Sequence, residues 1–269
     1  MSALRFEAVE AELGGRPVLR GVDLALAAGE VVVLAGRNGA GKTTLLRVAT
    51  RVVPASGGRV ELLGRPLAAY SARELARSVA VVPQETGVPF PFRVAEVALM
   101  GRAPHLPLLG FESRDDVRRT QAALTRVGIA ELAERSILEV SGGERQLAMV
   151  ARALVQETPV VLLDEPTAHL DIARRLGLLA LVRELAADGR AVLVVSHDLG
   201  LSARFADRIA LLGEGRVLAA GPPAATLTPD LLRRTFGVEA EVLVTSDGAP
   251  VIVPRRPVAV ERDPGEHRG

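Results

Sequence analysis

Gly36-Arg37-Asn38-Gly39-Ala40-Gly41-Lys42-Thr43 is the stretch on which the reading of this chain turns. It follows a continuous apolar run, Val31-Val32-Val33-Leu34-Ala35, and precedes Leu45-Leu46, so the order is buried strand, glycine-rich turn, helix. Glycine is needed where backbone N–H groups curl closely around an anion, and a helix starting there aims its unpaired N–H groups at the same point. Lys42 adds a mobile positive charge for terminal phosphates, and Thr43 adds a hydroxyl oxygen for Mg2+. The stretch predicts a nucleotide cradle with Gly36, Arg37, Asn38, Gly39, Ala40, Gly41, Lys42, Thr43 and Thr44 as candidate contacts.

Three further apolar runs predict buried strands: Val79 to Val82, Val160 to Leu163 and Ala191 to Val195. Each is followed by polar residues, at the edge of a parallel sheet where ligand groups collect. One run ends in Asp164-Glu165, with Pro166 stopping the strand. Asp164 is suited to hold Mg2+ through water, and Glu165 to polarise an attacking water beyond a γ-phosphate. Gln84 and His197 follow the other two runs, an amide for Mg2+ or water and an imidazole for the γ-phosphate.

Ahead of the loop, Leu4, Phe6 and Ala8 share one parity, Gly14-Gly15 marks a turn, and Val22, Leu24 and Leu26 keep the period of two. A small antiparallel sheet is expected there. From Glu85 to Gln156 the texture turns helical, with Leu147, Val150, Ala151 and Leu154 on one face, which predicts an inserted lobe. Leu178, Leu181, Val182 and Leu185 predict a helix covering the sheet. The expected fold class is α/β: a P-loop NTPase core with an N-terminal antiparallel β subdomain and an inserted helical subdomain (85–156), in one domain over 1–253. Near the end, Pro229 starts a short helix from Thr228 to Phe236, and Val242 to Val244 pairs with Val251 to Val253 across Asp247-Gly248. Segment 254–269, rich in Pro, Arg, Glu and Gly, is expected to be a disordered tail.

With 33 basic against 32 acidic residues the net charge is +1, so no global field draws in nucleic acid, and no nucleic-acid partner is expected. The absence of cysteine removes disulfides, thiolate metal sites and thiol nucleophiles. Every apolar run stops short of the roughly 18 to 20 residues that span a bilayer. Arg5, Glu7 and Glu10 interrupt the start, which does not read as a signal peptide, and the expected compartment is the cytoplasm.

Ser141-Gly142-Gly143-Glu144 has the spacing of a capping box and leaves backbone donors exposed at the start of the helix carrying Leu147 to Leu154, a second anion-binding helix end. With it in place, the chain closely resembles the nucleotide-binding subunit of ABC transporters. Gly36 to Thr43 stands as the P-loop, Gln84 as the Q-loop, Ser141 to Glu144 as the signature, Asp164-Glu165 as Walker B, Ala168-His169-Leu170-Asp171 as the D-loop and His197 as the switch histidine, in family order across most of the chain. The resemblance implies ATP and Mg2+, and a head-to-tail pair of copies in which each signature covers the other's P-loop. It implies integral membrane permease subunits, indirectly a substrate-binding protein, and a peripheral place on the cytoplasmic face of the cell's inner membrane. It makes Glu165 the general base, lets Lys42 and His197 stabilise γ-phosphoryl charge, gives Mg2+ and water to Thr43, Gln84 and Asp164, and has Asp171 link the two sites.

Many relatives carry an aromatic residue where Leu13 stands, so apolar contact from Leu13 and Val18 is the expected substitute against adenine. Val140 and Leu147 also depart from the family pattern while keeping an apolar helix face. Phe90 to Val94 and Gly101-Arg102 are expected where a permease docks. Phe90-Pro91-Phe92, Gly101-Arg102-Ala103-Pro104-His105, the D-loop with Ile172, and the tail from Leu227-Thr228-Pro229 to Phe236-Gly237-Val238 resemble the import subfamily for iron-siderophores, haem and cobalamin. Two alternatives stay open: the ATPase of another importer or an exporter, and a non-transport ABC protein. The latter commonly carries two ATPase domains or a coiled-coil insertion, which this chain lacks.

Overall fold

The computed structural model describes residues 2–84, 87–107, 110–246 and 248–258. Strands β1 (Ser2–Leu13) and β2 (Arg16–Ala27) form a hairpin closed by Gly14 and Gly15, both left-handed at φ 58° and 77°. Leu4 and Phe6 point into the core, but Ala8 does not share their face as its parity predicted. It takes φ 46° in a bulge between Phe6 and Val9, after which Val9 and Ala11 occupy the buried face.

Strand β3 (Val31–Ala35) runs into the glycine loop and helix α1 (Lys42–Ala49). Strands β4 (Gly57–Leu62) and β5 (Arg65–Pro66) complete an antiparallel sheet in the order β2-β1-β4-β5. Helix α2 (Ala72–Ser78) starts at a reciprocal Ser71–Glu74 cap and leads directly into β6 (Val79–Val82). Helices α3 (Val94–Leu99), α4 (Arg114–Arg126) and α5 (Gly142–Val155) follow and pack on one another; Glu85, where the lobe was expected to begin, lies outside the described residues. Next come β7 (Val160–Asp164), α6 (Ile172–Ala187), β8 (Ala191–Val195), α7 (Leu199–Ser202), β9 (Arg208–Gly213) and β10 (Arg216–Gly221).

The central sheet has the order β10-β9-β3-β8-β7-β6, parallel throughout except for β10. Its strands read as unbroken apolar runs because both faces are covered. Val31, Val33 and Ala35 of β3 join the core shared with the lobe and α6, whereas Val32 and Leu34 join the core beneath α1 and the antiparallel sheet. The same division by parity holds along β7 and β8.

Helices α8 (Pro223–Thr226) and α9 (Pro229–Phe236) precede a closing hairpin of β11 (Val238–Val244) and β12 (Pro250–Pro257). Disorder from residue 254 onward is therefore corrected: residues 254–257 are strand. Ala240, Val242 and Ile252 pack against the main core, and Arg255 and Arg256 pair with Glu241 and Glu239 across the hairpin. Asp247 and residues 259–269 lie outside the described residues. The expectation that Gly101-Arg102 offers a docking surface is also corrected. A Cβ at Gly101 would meet the Arg152 carbonyl oxygen, and buried Arg102 donates to Asp116 Oδ1 (2.7 Å), Glu157 Oε2 (2.9 Å) and the Val155 carbonyl (3.0 Å).

Candidate nucleotide site

The parallel register brings four strand ends to one edge of the sheet: β3 delivers Gly36, β6 Gln84, β7 Asp164 and Glu165, and β8 His197. Asp164 pairs with Val195, and the Glu165 N–H donates to the Val195 carbonyl at 3.1 Å. Packing dictates two of the loop glycines, Gly36 and Gly41. A Cβ at Gly36 would sit 2.2 Å from the Leu212 carbonyl oxygen, and one at Gly41, which caps α1 with φ 105°, 2.7 Å from Leu19 Cδ2. Lys42 folds back over the loop, its Nζ donating to the carbonyls of Gly36 (2.8 Å) and Arg37 (2.9 Å).

Burial shifts the charges here toward neutrality. Desolvation lowers the Lys42 pKa, against the opposing fields of Glu165 and Asp164. Asp164 is only 3% exposed, and burial raises its pKa, although a hydrogen bond from the Thr43 hydroxyl and the Lys42 charge oppose the rise. Its Oδ1 has no hydrogen-bond partner in the chain. Glu165 adopts φ 49°, the left-handed region that a non-glycine residue rarely occupies. Such outliers cluster at functional sites. Its Oε1 lies 2.6 Å from His197 Nε2.

Between these groups lies a cleft of about 590 Å³ lined by Leu13, Val18, Asn38, Gly39, Gly41, Lys42, Thr43, Thr44, Gln84, Glu165 and His197. That volume falls within the roughly 300 to 1,000 Å³ common for small-molecule sites. Gly36, Arg37 and Ala40 belong to the same loop without lining the cleft, and Asp164 sits behind Thr43. Ser141, Gly142, Gly143, Glu144 and Asp171 do not line it. They form a second assembly. Ser141 and Glu144 make a reciprocal cap on α5, Asp171 caps α6 through the Arg174 N–H (2.8 Å), and Arg174 reaches Glu144 at 3.4 Å. A Cβ at Gly143 would stand 2.8 Å from the His169 carbonyl oxygen, so the signature turn and the loop 168–171 pack without space between them.

The residues fit Mg2+. Asp164 offers a buried carboxylate oxygen without a partner and Thr43 a neighbouring hydroxyl, both hard oxygen donors. Among the described residues no group of three or more His, Asp or Glu side chains is placed to hold a metal ion. Sequence reasoning missed a buried hydroxyl pair under the His197 turn, Ser196 and Ser202, whose Oγ atoms are 2.7 Å apart. A serine inside a short helical turn gives no local sign of where its hydroxyl points.

A buried strand, a glycine loop closed by Lys-Thr, and carboxylates at a neighbouring strand end define a P-loop nucleoside triphosphatase. Within that class the chain belongs to the ABC transporter family, whose pattern matches residues 19–168, and it is an ATP-binding subunit with ATPase activity coupled to transport. It is 46% identical to the hemin import ATP-binding protein HmuV of Streptomyces coelicolor over 91% of this chain and 87% of that protein. It is 40% identical to the cobalamin import ATP-binding protein BtuD of Halobacterium salinarum, over 91% of this chain and 62% of that one. Among solved structures, an inward-facing metal-chelate type ABC transporter matches with TM-score 0.82 at 26% identity, covering 95% of this chain and 98% of that one. No helix among the described residues is long and apolar enough to cross a membrane.

Proposed function

We propose that two copies of this chain close head to tail around two Mg-ATP and drive uptake of a metal chelate of the haem, siderophore or cobalamin type through a separate permease. The observation that carries the paired arrangement is the separation of the two anion-binding turns: the P-loop lines the cleft, and the Ser141 turn does not. A second copy supplying its Ser141 turn completes the open side. Hemin and cobalamin import by the named relatives supports the cargo class. Phe90 and Phe92 stand exposed in the lobe with rings edge to face at 6.2 Å, an apolar feature suited to a permease helix.

In this reading Leu13 and Val18 cover the base, and Lys42 exchanges its carbonyl partners for phosphate oxygens. Thr43, Asp164 and Gln84 hold Mg2+, which when bound draws charge from the phosphate oxygens. Glu165 accepts a proton from the attacking water. His197, hydrogen-bonded to Glu165, faces the γ-phosphate and stabilises the charge that develops there. Asp171 and the loop around it join one site to the other.

Mixed pairs test the arrangement. One Ser141→Arg copy with one Lys42→Ala copy puts both lesions in a single composite site, whereas both substitutions in one copy damage both sites. Hydrolysis retained only in the first arrangement supports sharing; equal activity at equal dimer yield refutes it. Cargo is tested by ATP-dependent uptake into vesicles holding the matched permease, comparing hemin, cobalamin and a ferric siderophore.

A further inference from the structure

We infer that Ser202, acting through Ser196, is a positioning residue that sets where the His197 ring stands against Glu165. The inference rests on the reading of His197 as the phosphate-facing imidazole, but its structural half can be measured separately. His197 itself is exposed at the mouth of the cleft, and the contact that orients its ring is the 2.6 Å hydrogen bond to Glu165. Where the ring stands to make that bond is set by the backbone on either side of it, which fixes the position of the His197 Cα.

That backbone is held from below by a closed ring of hydrogen bonds. The hydroxyl of Ser202, a residue 2% exposed, donates to Ser196 Oγ at 2.7 Å, and Ser196 is 4% exposed. Ser196 Oγ also accepts the Asp198 N–H at 3.1 Å, and the Ser196 N–H donates to the Leu34 carbonyl of β3 at 3.2 Å. On the far side, the Ser202 N–H donates to the Asp198 carbonyl at 3.0 Å, while Asp198 Oδ1 accepts the Leu201 N–H at 3.0 Å. His197 is thus flanked by Ser196, whose own hydroxyl belongs to the buried pair, and by Asp198, whose N–H that hydroxyl holds.

A pair serving packing alone has a simpler substitute, because two alanines would fill this turn without burying polar atoms. The hydroxyls instead add direction: Ser196 Oγ ties the residue before His197 to the residue after it. Helix α7 also packs against β12, which fixes the platform that carries Ser202. Losing the Ser202 hydroxyl leaves the strand and P-loop intact and releases only the turn.

The test uses the full chain, which has four histidines. Imidazole NMR signals of the nucleotide-free protein, with His197 assigned through His197→Ala, are compared between wild type and Ser202→Ala. The expected result is a moved His197 signal, with the other histidines unmoved. Hydrolysis by Ser202→Ala is expected to lose roughly threefold to tenfold in kcat, with KM for ATP within about twofold. In a His197→Ala background the same substitution is expected to cost nothing further, because both act through one ring. Ser202→Thr, which keeps the hydroxyl, is expected to restore kcat, and Ser202→Cys keeps the question answerable if the alanine variant does not fold. Unmoved His197 signals, or losses that multiply in the double variant, overturn the inference. A His197→Ala chain with undiminished kcat would instead remove the catalytic reading of His197, leaving the NMR comparison to decide whether Ser202 holds the ring.

Discussion

Asp164→Asn is expected to make the nucleotide-free protein more stable while removing Mg2+-dependent hydrolysis. Asp164 is nearly fully buried, one of its oxygens has no partner, and burial raises its pKa from the ordinary 3.8. A carboxyl whose folded pKa is raised binds its proton more tightly folded than unfolded. The associated destabilisation is absent below the unfolded value of 3.8, grows as pH rises through the folded value, and is complete above it. An unpartnered buried polar group costs about 1 to 3 kcal/mol. Asn keeps an acceptor for Thr43 but puts an amide group where the carboxylate oxygen lacks a partner, so only the extra cost of burying a charge is recovered, about 1 kcal/mol near neutral pH, a Tm rise of roughly 2 to 4 °C in a domain of this size. Urea titrations of metal-free, nucleotide-free wild type and variant, run from about pH 4 to pH 8, check both the gain and its slope. A non-hydrolysable ATP analogue with Mg2+ should reverse the order, because only the wild type gains full binding stabilisation. A variant no more stable than wild type without ligand, or one sharing its pH slope, refutes the argument that Asp164 is held charged at a cost until Mg2+ arrives.

Glu165→Gln keeps nearly the same volume and removes proton acceptance, so ATP binding and ATP-driven pairing should persist while single-turnover hydrolysis falls by about 10² or more; wild-type hydrolysis would reject Glu165 as the base. Asp116→Asn should cost up to about 2 kcal/mol at neutral pH, because hydrogen bonds from Ser113, and then Arg102, hold the Asp116 pKa at about 2. That stabilisation is present above 3.8 and lost as pH falls through about 2, so wild-type and variant denaturation curves should converge toward that pH. Gly143→Ala gains up to about 1 kcal/mol of helix propensity but drives a Cβ to 2.8 Å from the His169 carbonyl, so hydrolysis by the pair should drop while nucleotide binding to a single copy is unchanged; undiminished hydrolysis would show that the loop beside it moves freely.

What was legible in the sequence is what local chemistry decides. Val31 to Ala35, Val160 to Leu163 and Ala191 to Val195 read as strands because a parallel strand covered on both faces needs no alternation. The signature turn was readable because Ser141 and Glu144 satisfy each other within one turn. Features set by distant partners were not readable. The Ala8 bulge depends on the register of β1 against β2, and the inward turn of Arg102 depends on Asp116 and Glu157, far along the chain. Residues 254–257 carry a composition suited to disorder, yet they pair with a strand whose Glu239 and Glu241 meet Arg256 and Arg255. Ser202 gave no signal because its partner is another serine across a turn.

The closeness of the two assemblies along the chain bears on how one site would sense the other. Glu165 sits in a left-handed conformation at the end of β7, and His169, only four residues on, is also left-handed at φ 65°. Between them the Ala168 N–H donates to the Glu165 carbonyl at 3.1 Å and the Leu170 N–H to that of Thr167 at 3.3 Å, so the segment is a succession of tight turns. Its far end is clamped: the Leu170 carbonyl accepts from Arg175 Nε at 2.8 Å, and the His169 carbonyl packs on Gly143. A nucleotide pressing on the Ser141 turn from a second copy would therefore act on a segment with little slack before Glu165. Coupling of this kind requires two discrete arrangements of that segment and a bias of each by ligand. The paired left-handed residues are where such a rearrangement would be least costly, because relaxing either one releases backbone strain of about 1 to 3 kcal/mol.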